Sequence, residues 1–100
     1  KLLAFCALAN PNKFFDTLRK NGYEISSTKI FPDHYAYKNN DINNLIFDAN
    51  DLNLKLITTE KDYVKISKNK DQIHFLPIEL ELGVKDKLNF ELFLQEKLNA

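Results

Sequence analysis

The sequence predicts an α/β domain, with a mostly parallel sheet of about four strands in a three-layer α/β/α arrangement. Three observations point there. Short apolar or β-branched runs alternate with helix-periodic segments in the order βαβαβαβα, which calls for a parallel sheet with helices on its faces and right-handed crossovers. The first run, Leu2–Leu8, is continuously apolar rather than alternating, as in a strand covered on both sides. The length of 100 residues suffices for one modest core and not for two, so residues 1–100 are expected to form a single domain.

Each element has its own justification. Leu2–Leu8 is the expected central strand. Asn10-Pro11 marks a helix start, with Asn10 as N-cap and Pro11 at the first helical position, where its missing N–H costs nothing. Phe14, Phe15 and Leu18 form that helix's core stripe, and Gly22 supplies a left-handed stop just past about Asn21. Tyr23 to Phe31 mixes β-branched and aromatic residues with Ser26, Ser27 and Lys29, predicting a strand exposed on one face, at an edge. Pro32 ends it. After a polar turn, Ile42, Leu45, Ile46 and Ala49 recur at helical spacing, predicting a helix over about 40–50 capped by Asn39 or Asn40. Leu54–Thr58 is a short strand, and Thr59-Glu60-Lys61-Asp62 opens a third helix carrying Tyr63, Val64 and Ile66. In that helix Thr59 caps the Asp62 amide and Asp62 reaches back as the reciprocal partner. Following a loop at Lys68–Asp71, residues 73–82 read as the fourth strand, with Pro77 at an edge or irregular position. Residues 87–98, beyond Gly83, read as a fourth helix with Leu88, Leu92, Phe93 and Leu98 on its stripe.

Composition removes several function classes. Fourteen basic residues balance fourteen acidic ones, so the electrostatic footprint of a nucleic-acid binder or a polybasic membrane patch is missing, and no nucleic-acid partner is expected. The single cysteine, Cys6, lies in the apolar first strand, where a thiol behaves as a small buried hydrophobe, favouring a reducing compartment. No apolar run approaches the roughly 20 residues that span a bilayer. The start, Lys1-Leu2-Leu3-Ala4, has neither an initiator Met nor a signal-peptide layout, so the chain reads as part of a longer protein.

In a doubly wound sheet, sites form in loops leaving the C-terminal ends of strands. Here those loops are Ala9–Asn12, Phe31–Asn39, Thr58–Asp62 and Gly83–Asp86. His34 sits in the second of them, and histidine is the side chain best suited to take or give a proton near neutrality. A turn histidine bonded to nearby backbone would occupy the same place. Its neighbour Asp33 would point the opposite way in an extended segment and need not orient the imidazole. Thr59–Asp62 has a complete structural reading as a capping box. Its free N–H groups with Lys61 could alternatively face an anion, although Glu60 and Asp62 would repel a phosphate. His74, inside a strand pattern, reads as structural, and neither histidine has partners at metal-ligand spacing. Gly22 and Gly83 are the only glycines, so no phosphate-binding glycine loop can be built from this chain.

Ala9-Asn10-Pro11 followed by Phe14-Phe15 and Leu18, then Phe31-Pro32-Asp33-His34 with Tyr37, then Thr58-Thr59-Glu60-Lys61-Asp62, then Leu76-Pro77-Ile78 resembles, across essentially the whole chain, the C-terminal domain of the tetraacyldisaccharide 4′-kinase (lipid A 4′-kinase) family. No single motif is decisive; four in order at near-matching gaps are fairly specific. The resemblance implies a Rossmann-like domain of a two-domain enzyme whose larger N-terminal part carries the phosphate-binding loop. That part would hold ATP and Mg2+ and phosphorylate the 4′-hydroxyl of a tetraacyldisaccharide 1-phosphate at the cytoplasmic face of the bacterial inner membrane. It implies that His34 acts with an N-terminal-domain aspartate in deprotonating the sugar hydroxyl. Asp33, Thr59, Glu60, Lys61 and Asp62 are carried over as substrate-binding or domain-interface candidates without separate roles. A second histidine often follows in the Asp-His motif; here it is Tyr35, and the usual Pro and Thr nearby are Ala36 and Lys38. The expected partners are the lipid A disaccharide precursor and the N-terminal kinase domain. The 100 residues alone are expected to be inactive and to bind no cofactor or metal, and peripheral membrane association would come from the other part. Two other classes fit the residues: a non-catalytic α/β interaction module with a structural His34, and a small stand-alone binder of an acidic metabolite.

Overall fold

A computed structural model describes residues 1–77, and its sheet is assembled around β1 (Leu2–Cys6), whose five residues are all buried. The other strands are β2 (Ile25–Ile30), β3 (Lys55–Thr59) and β4 (Ile73–Leu76), in the spatial order β2-β1-β3-β4. All three pairings are parallel. The predicted centre and edge are therefore found: β1 has a strand on each side, and β2, with mostly exposed residues, is an outer strand.

The side-chain alternation of β1 divides the core in two, as a period of two residues requires. Leu2, Ala4 and Cys6 meet Phe14, Phe15 and Leu18 of α1 (Pro11–Lys20) on one face. Leu3 and Phe5 meet Ile42, Leu45 and Ala49 of α2 (Asn39–Asp51), together with Ile66, on the other. This gives the three expected layers. The chain steps from β1 outward to β2 with α1 on one face, then back across β1 to β3 with α2 on the opposite face, as right-handed crossovers demand.

Local signals account for most boundaries. Pro11 occupies the start of α1, and Gly22 takes φ 86° just beyond its end, its N–H bonding the Arg19 carbonyl at 2.9 Å. Asn10 stands at the N-cap without a side-chain cap bond. The cap of α2 differs from expectation: Lys38, not Asn39 or Asn40, is the N-cap residue, and both asparagines lie inside the helix. The reason is Asp41, whose Oδ2 accepts the Lys38 N–H at 2.8 Å and so fixes the chain entry from the third helical position. The third helix is a single turn, α3 (Glu60–Tyr63); Val64 is exposed and Ile66 buried beyond it. β4 stops at Leu76, so Pro77 lies outside the ladder it could not have joined. The remainder of the predicted fourth strand, the Gly83–Asp86 loop and the helix over 87–98 lie outside the described residues.

Candidate functional site

Because the strands are parallel, the segments leaving β1, β2 and β3 emerge at one end of the sheet, bringing Ala7–Asn10, Phe31–Lys38 and Thr59–Asp62 to a common rim. The strand order places the topological switch between β1 and β3, where connections depart to opposite sides and a crevice ordinarily forms. In this chain a side chain fills that position.

The side chain is Asp62. It is fully buried, and its Oδ2 accepts the Ala7 N–H at 3.0 Å and the Thr59 hydroxyl at 3.0 Å. The Thr59 oxygen in turn accepts the Asp62 N–H at 3.0 Å, so the predicted cap by Thr59 is present. The predicted return bond is not: the Asp62 carboxylate reaches across to β1's exit rather than back to the backbone of residue 59, because the parallel β1–β3 pairing brings an otherwise orphaned amide within range. One residue back, the Thr58 hydroxyl donates to the Phe5 carbonyl at 2.7 Å. Lys65 Nζ lies 3.4 Å from the second Asp62 oxygen, as an (i, i+3) ion pair. Thr59 and Asp62 thus face inward, while Lys61 is exposed and Glu60 half-buried at the rim.

The Phe31–Lys38 segment carries His34 outward. The Phe31 N–H bonds the Cys6 carbonyl at 2.9 Å, prolonging the β1–β2 ladder by one step, and the Tyr35 N–H closes a turn onto the Pro32 carbonyl at 3.0 Å. His34, third residue of that turn, has φ 62°. Left-handed backbone at a non-glycine residue costs about 1 kcal/mol and persists only where neighbouring contacts impose it. The imidazole is 76% exposed, and its Nε2 stands 3.6 Å from Asp33 Oδ2. Asp33 and His34 are therefore neighbours in space, against the expectation for an extended segment, because the left-handed residue turns the chain and brings successive side chains together. At 3.6 Å the contact is electrostatic, too long for a hydrogen bond.

Aromatic packing holds the turn down. Phe31 stacks on Tyr35 with centroids 5.2 Å apart and meets the Tyr37 edge at 5.1 Å, and Tyr37 packs edge-on against buried Phe5 at 5.8 Å. The Tyr35 hydroxyl donates to Asp41 Oδ2 at 2.7 Å. The Lys38 N–H and then that phenol hold the Asp41 carboxyl below its usual range. The bond to Asp41 raises Tyr35 above 10.0. Burial, and next the charge of Asp62, raise the Tyr37 phenol strongly; its hydroxyl is buried without a hydrogen-bond partner among the described residues.

Among the described residues no group of three or more His, Cys, Asp or Glu side chains could hold a metal ion, and Gly22, the one described glycine, closes a helix. No described helix is long and apolar enough to cross a membrane. A cavity of about 480 Å³ opens at the opposite end of the sheet, beside Asn53, Lys55, Gln72 and His74. That is the end where β3 and β4 begin, away from every strand exit, and the rim geometry outweighs cavity size in locating the site. Tyr35, Asp41, Lys65 and the Ala7 amide were not picked out as site residues from sequence. Asp41 and Lys65 were signalled by spacing alone, three residues from Lys38 and Asp62, whereas the Ala7 contact spans 55 residues and leaves no local signature.

The family model described as tetraacyldisaccharide-1-P 4′-kinase matches residues 1–99. The chain is 40% identical over 95 residues to the tetraacyldisaccharide 4′-kinase of Rickettsia akari (strain Hartford), covering 95% of this chain and 29% of that protein. It is 42% identical over 90 residues to the same-named proteins of Rickettsia africae (strain ESF-5) and Rickettsia conorii (strain ATCC VR-613 / Malish 7), covering 90% of this chain and 28% of each. The chain thus spans under a third of the length of these relatives. No solved structure matches it.

Proposed function

The chain belongs to the tetraacyldisaccharide-1-P 4′-kinase family, and from that premise we propose that it forms the C-terminal part of an enzyme that phosphorylates the 4′-hydroxyl of a tetraacyldisaccharide 1-phosphate, contributing His34 as a proton acceptor. The observation that carries this reading is the presentation of His34: an imidazole largely in solvent, on a left-handed turn at the rim where the strands end. A structural turn histidine would be expected to bond backbone; here the ring faces outward with a carboxylate beside it.

The imidazole takes the proton from the sugar hydroxyl as that oxygen becomes a nucleophile, and Asp33, 3.6 Å away, stabilises the positive charge the ring acquires. Phosphoryl transfer depends mainly on positioning and electrostatics, so a domain without phosphate-binding elements can supply one acceptor across a cleft. ATP and Mg2+ would be held by the N-terminal part, together with the acid that completes the base. Lys61, exposed, and Glu60, half-buried, on the same rim would meet the substrate or that part, whereas the buried Thr59 and Asp62 bond inward.

His34→Ala in the full-length protein tests the role through ATP-dependent phosphorylation of the lipid disaccharide. A folded variant is expected to lose roughly 10²- to 10⁴-fold in kcat, the usual contribution of general base catalysis. Turnover at the wild-type rate would overturn the assignment.

A further inference from the structure

We infer that Tyr35 and Asp41 are positioning residues for His34, locking the turn that aims its imidazole. The inference rests on the proposed role of His34 and adds what makes that role geometrically possible.

Among the described residues His34 has no hydrogen bond to orient its ring, only Asp33 at 3.6 Å, and its backbone sits at φ 62°, a conformation the residue does not favour by itself. Its direction must come from the residues on either side. On the N-terminal side, the Phe31 amide is tied to β1 and Pro32 has a fixed φ. On the C-terminal side everything converges on Tyr35. Its amide closes the turn at 3.0 Å, its ring stacks on Phe31, and its hydroxyl reaches Asp41 at 2.7 Å. Asp41 Oδ2 also takes the Lys38 amide at 2.8 Å, so one carboxylate oxygen gathers both ends of the segment following His34.

The anchor is rigid because Asp41 lies in the first turn of α2, whose Ile42, Leu45 and Ala49 are buried against the sheet. The brace is a phenol donating to a carboxylate, a short charge-assisted bond. Asp41 is held below and Tyr35 above its ordinary range, so both partners keep the needed ionisation through neutral pH. Stacking of Phe31 and Tyr37 on the core would keep this loop folded without the hydroxyl. What the hydroxyl adds is direction at the residue next to His34.

The experiment measures kcat and KM for the tetraacyldisaccharide 1-phosphate in the full-length protein, with melting temperatures to confirm folding. Tyr35→Phe keeps the ring and removes only the hydrogen bond; Asp41→Ala removes the anchor. Since an acceptor displaced by about 1 Å costs on the order of 100-fold, a loosened turn should lower kcat about tenfold with KM within about twofold of wild type. Asp41→Asn, which retains a carbonyl oxygen for both donors, should recover part of the loss. In a His34→Ala background Tyr35→Phe should add nothing, because the brace acts through His34. Undiminished kcat in folded Tyr35→Phe and Asp41→Ala, or an equal further loss in the His34→Ala background, would overturn the inference while leaving His34 as the acceptor. Full activity in His34→Ala alone would remove both readings.

Discussion

Asp62→Ala is the perturbation that most directly tests how the rim is built. The substitution removes the acceptor of the Ala7 N–H and the Thr59 hydroxyl, each at 3.0 Å, and the counter-charge 3.4 Å from Lys65. A buried amide left without a partner costs about 1–3 kcal/mol, and removing one member of a buried ion pair costs about 3–5 kcal/mol. The Lys65 ammonium is itself buried, but 26% of the side chain is exposed, so once Asp62 is gone its flexible stem can carry the charge to water, and the total falls near the lower end, about 3 kcal/mol. Native-state hydrogen exchange of the Ala7 amide in the full-length protein reads this locally. At 1.4 kcal/mol per decade, exchange should accelerate about 100-fold. Adding Lys65→Met to Asp62→Ala should restore part of the protection by removing the orphaned cation. An Ala7 exchange rate within about threefold of wild type would mean that the carboxylate does not join β1 to β3, and the filled-crevice account would fail.

Three further outcomes follow from the same contacts. Tyr37→Phe removes a buried hydroxyl that has no partner among the described residues, so stability in urea should hold or rise by up to about 1 kcal/mol; a clear loss would show that the hydroxyl is satisfied. The Tyr35 and Tyr37 phenols are held above 10.0, so the unfolded chain releases those protons first, and stability should fall as pH rises from about 10 upward. Urea midpoints between about pH 8 and 11 check this, with a flatter slope expected in Tyr37→Phe. Gly22→Ala meets no atom within 4 Å of its new Cβ, yet must hold φ 86°, so it should cost about 1 kcal/mol from backbone alone, and Gly22→Asn less.

Layering and strand identity were readable because they depend on periodicity. The unbroken apolar run of β1 is typical of a doubly covered strand, and the serines and lysine of β2 suit an outer one. The signals that misled were local rules overtaken by longer-range geometry. Asn39 and Asn40 are good cap residues, but Asp41 bonded the Lys38 amide and moved the helix start one residue earlier. Asp62 satisfied every local criterion for a reciprocal cap partner, and the amide it took instead arrived by way of a sheet pairing 55 residues away. Asp33 was set aside by the alternation of an extended chain, which a single left-handed residue at His34 cancels.

These departures share a direction that bears on how the domain can work. A parallel sheet of this order ordinarily offers its ligand the crevice between β1 and β3. Here that place is closed by Asp62 and Thr59, tied to Ala7, and by the Thr58–Phe5 bond beside them. A ligand binder would leave the polar groups of the crevice unmatched in its absence; in this chain Asp62 Oδ2, Thr59, Thr58 and the Ala7 amide are matched to one another, and Asp62 Oδ1 and Lys65 Nζ, buried without a hydrogen bond, face each other as an ion pair at 3.4 Å. With the crevice closed, the exposed polar chemistry is displaced to the rim, where His34 stands on its braced turn with Lys61 exposed nearby in the β3 exit. In the role proposed for His34, a second surface would bring the nucleotide and sugar to that rim.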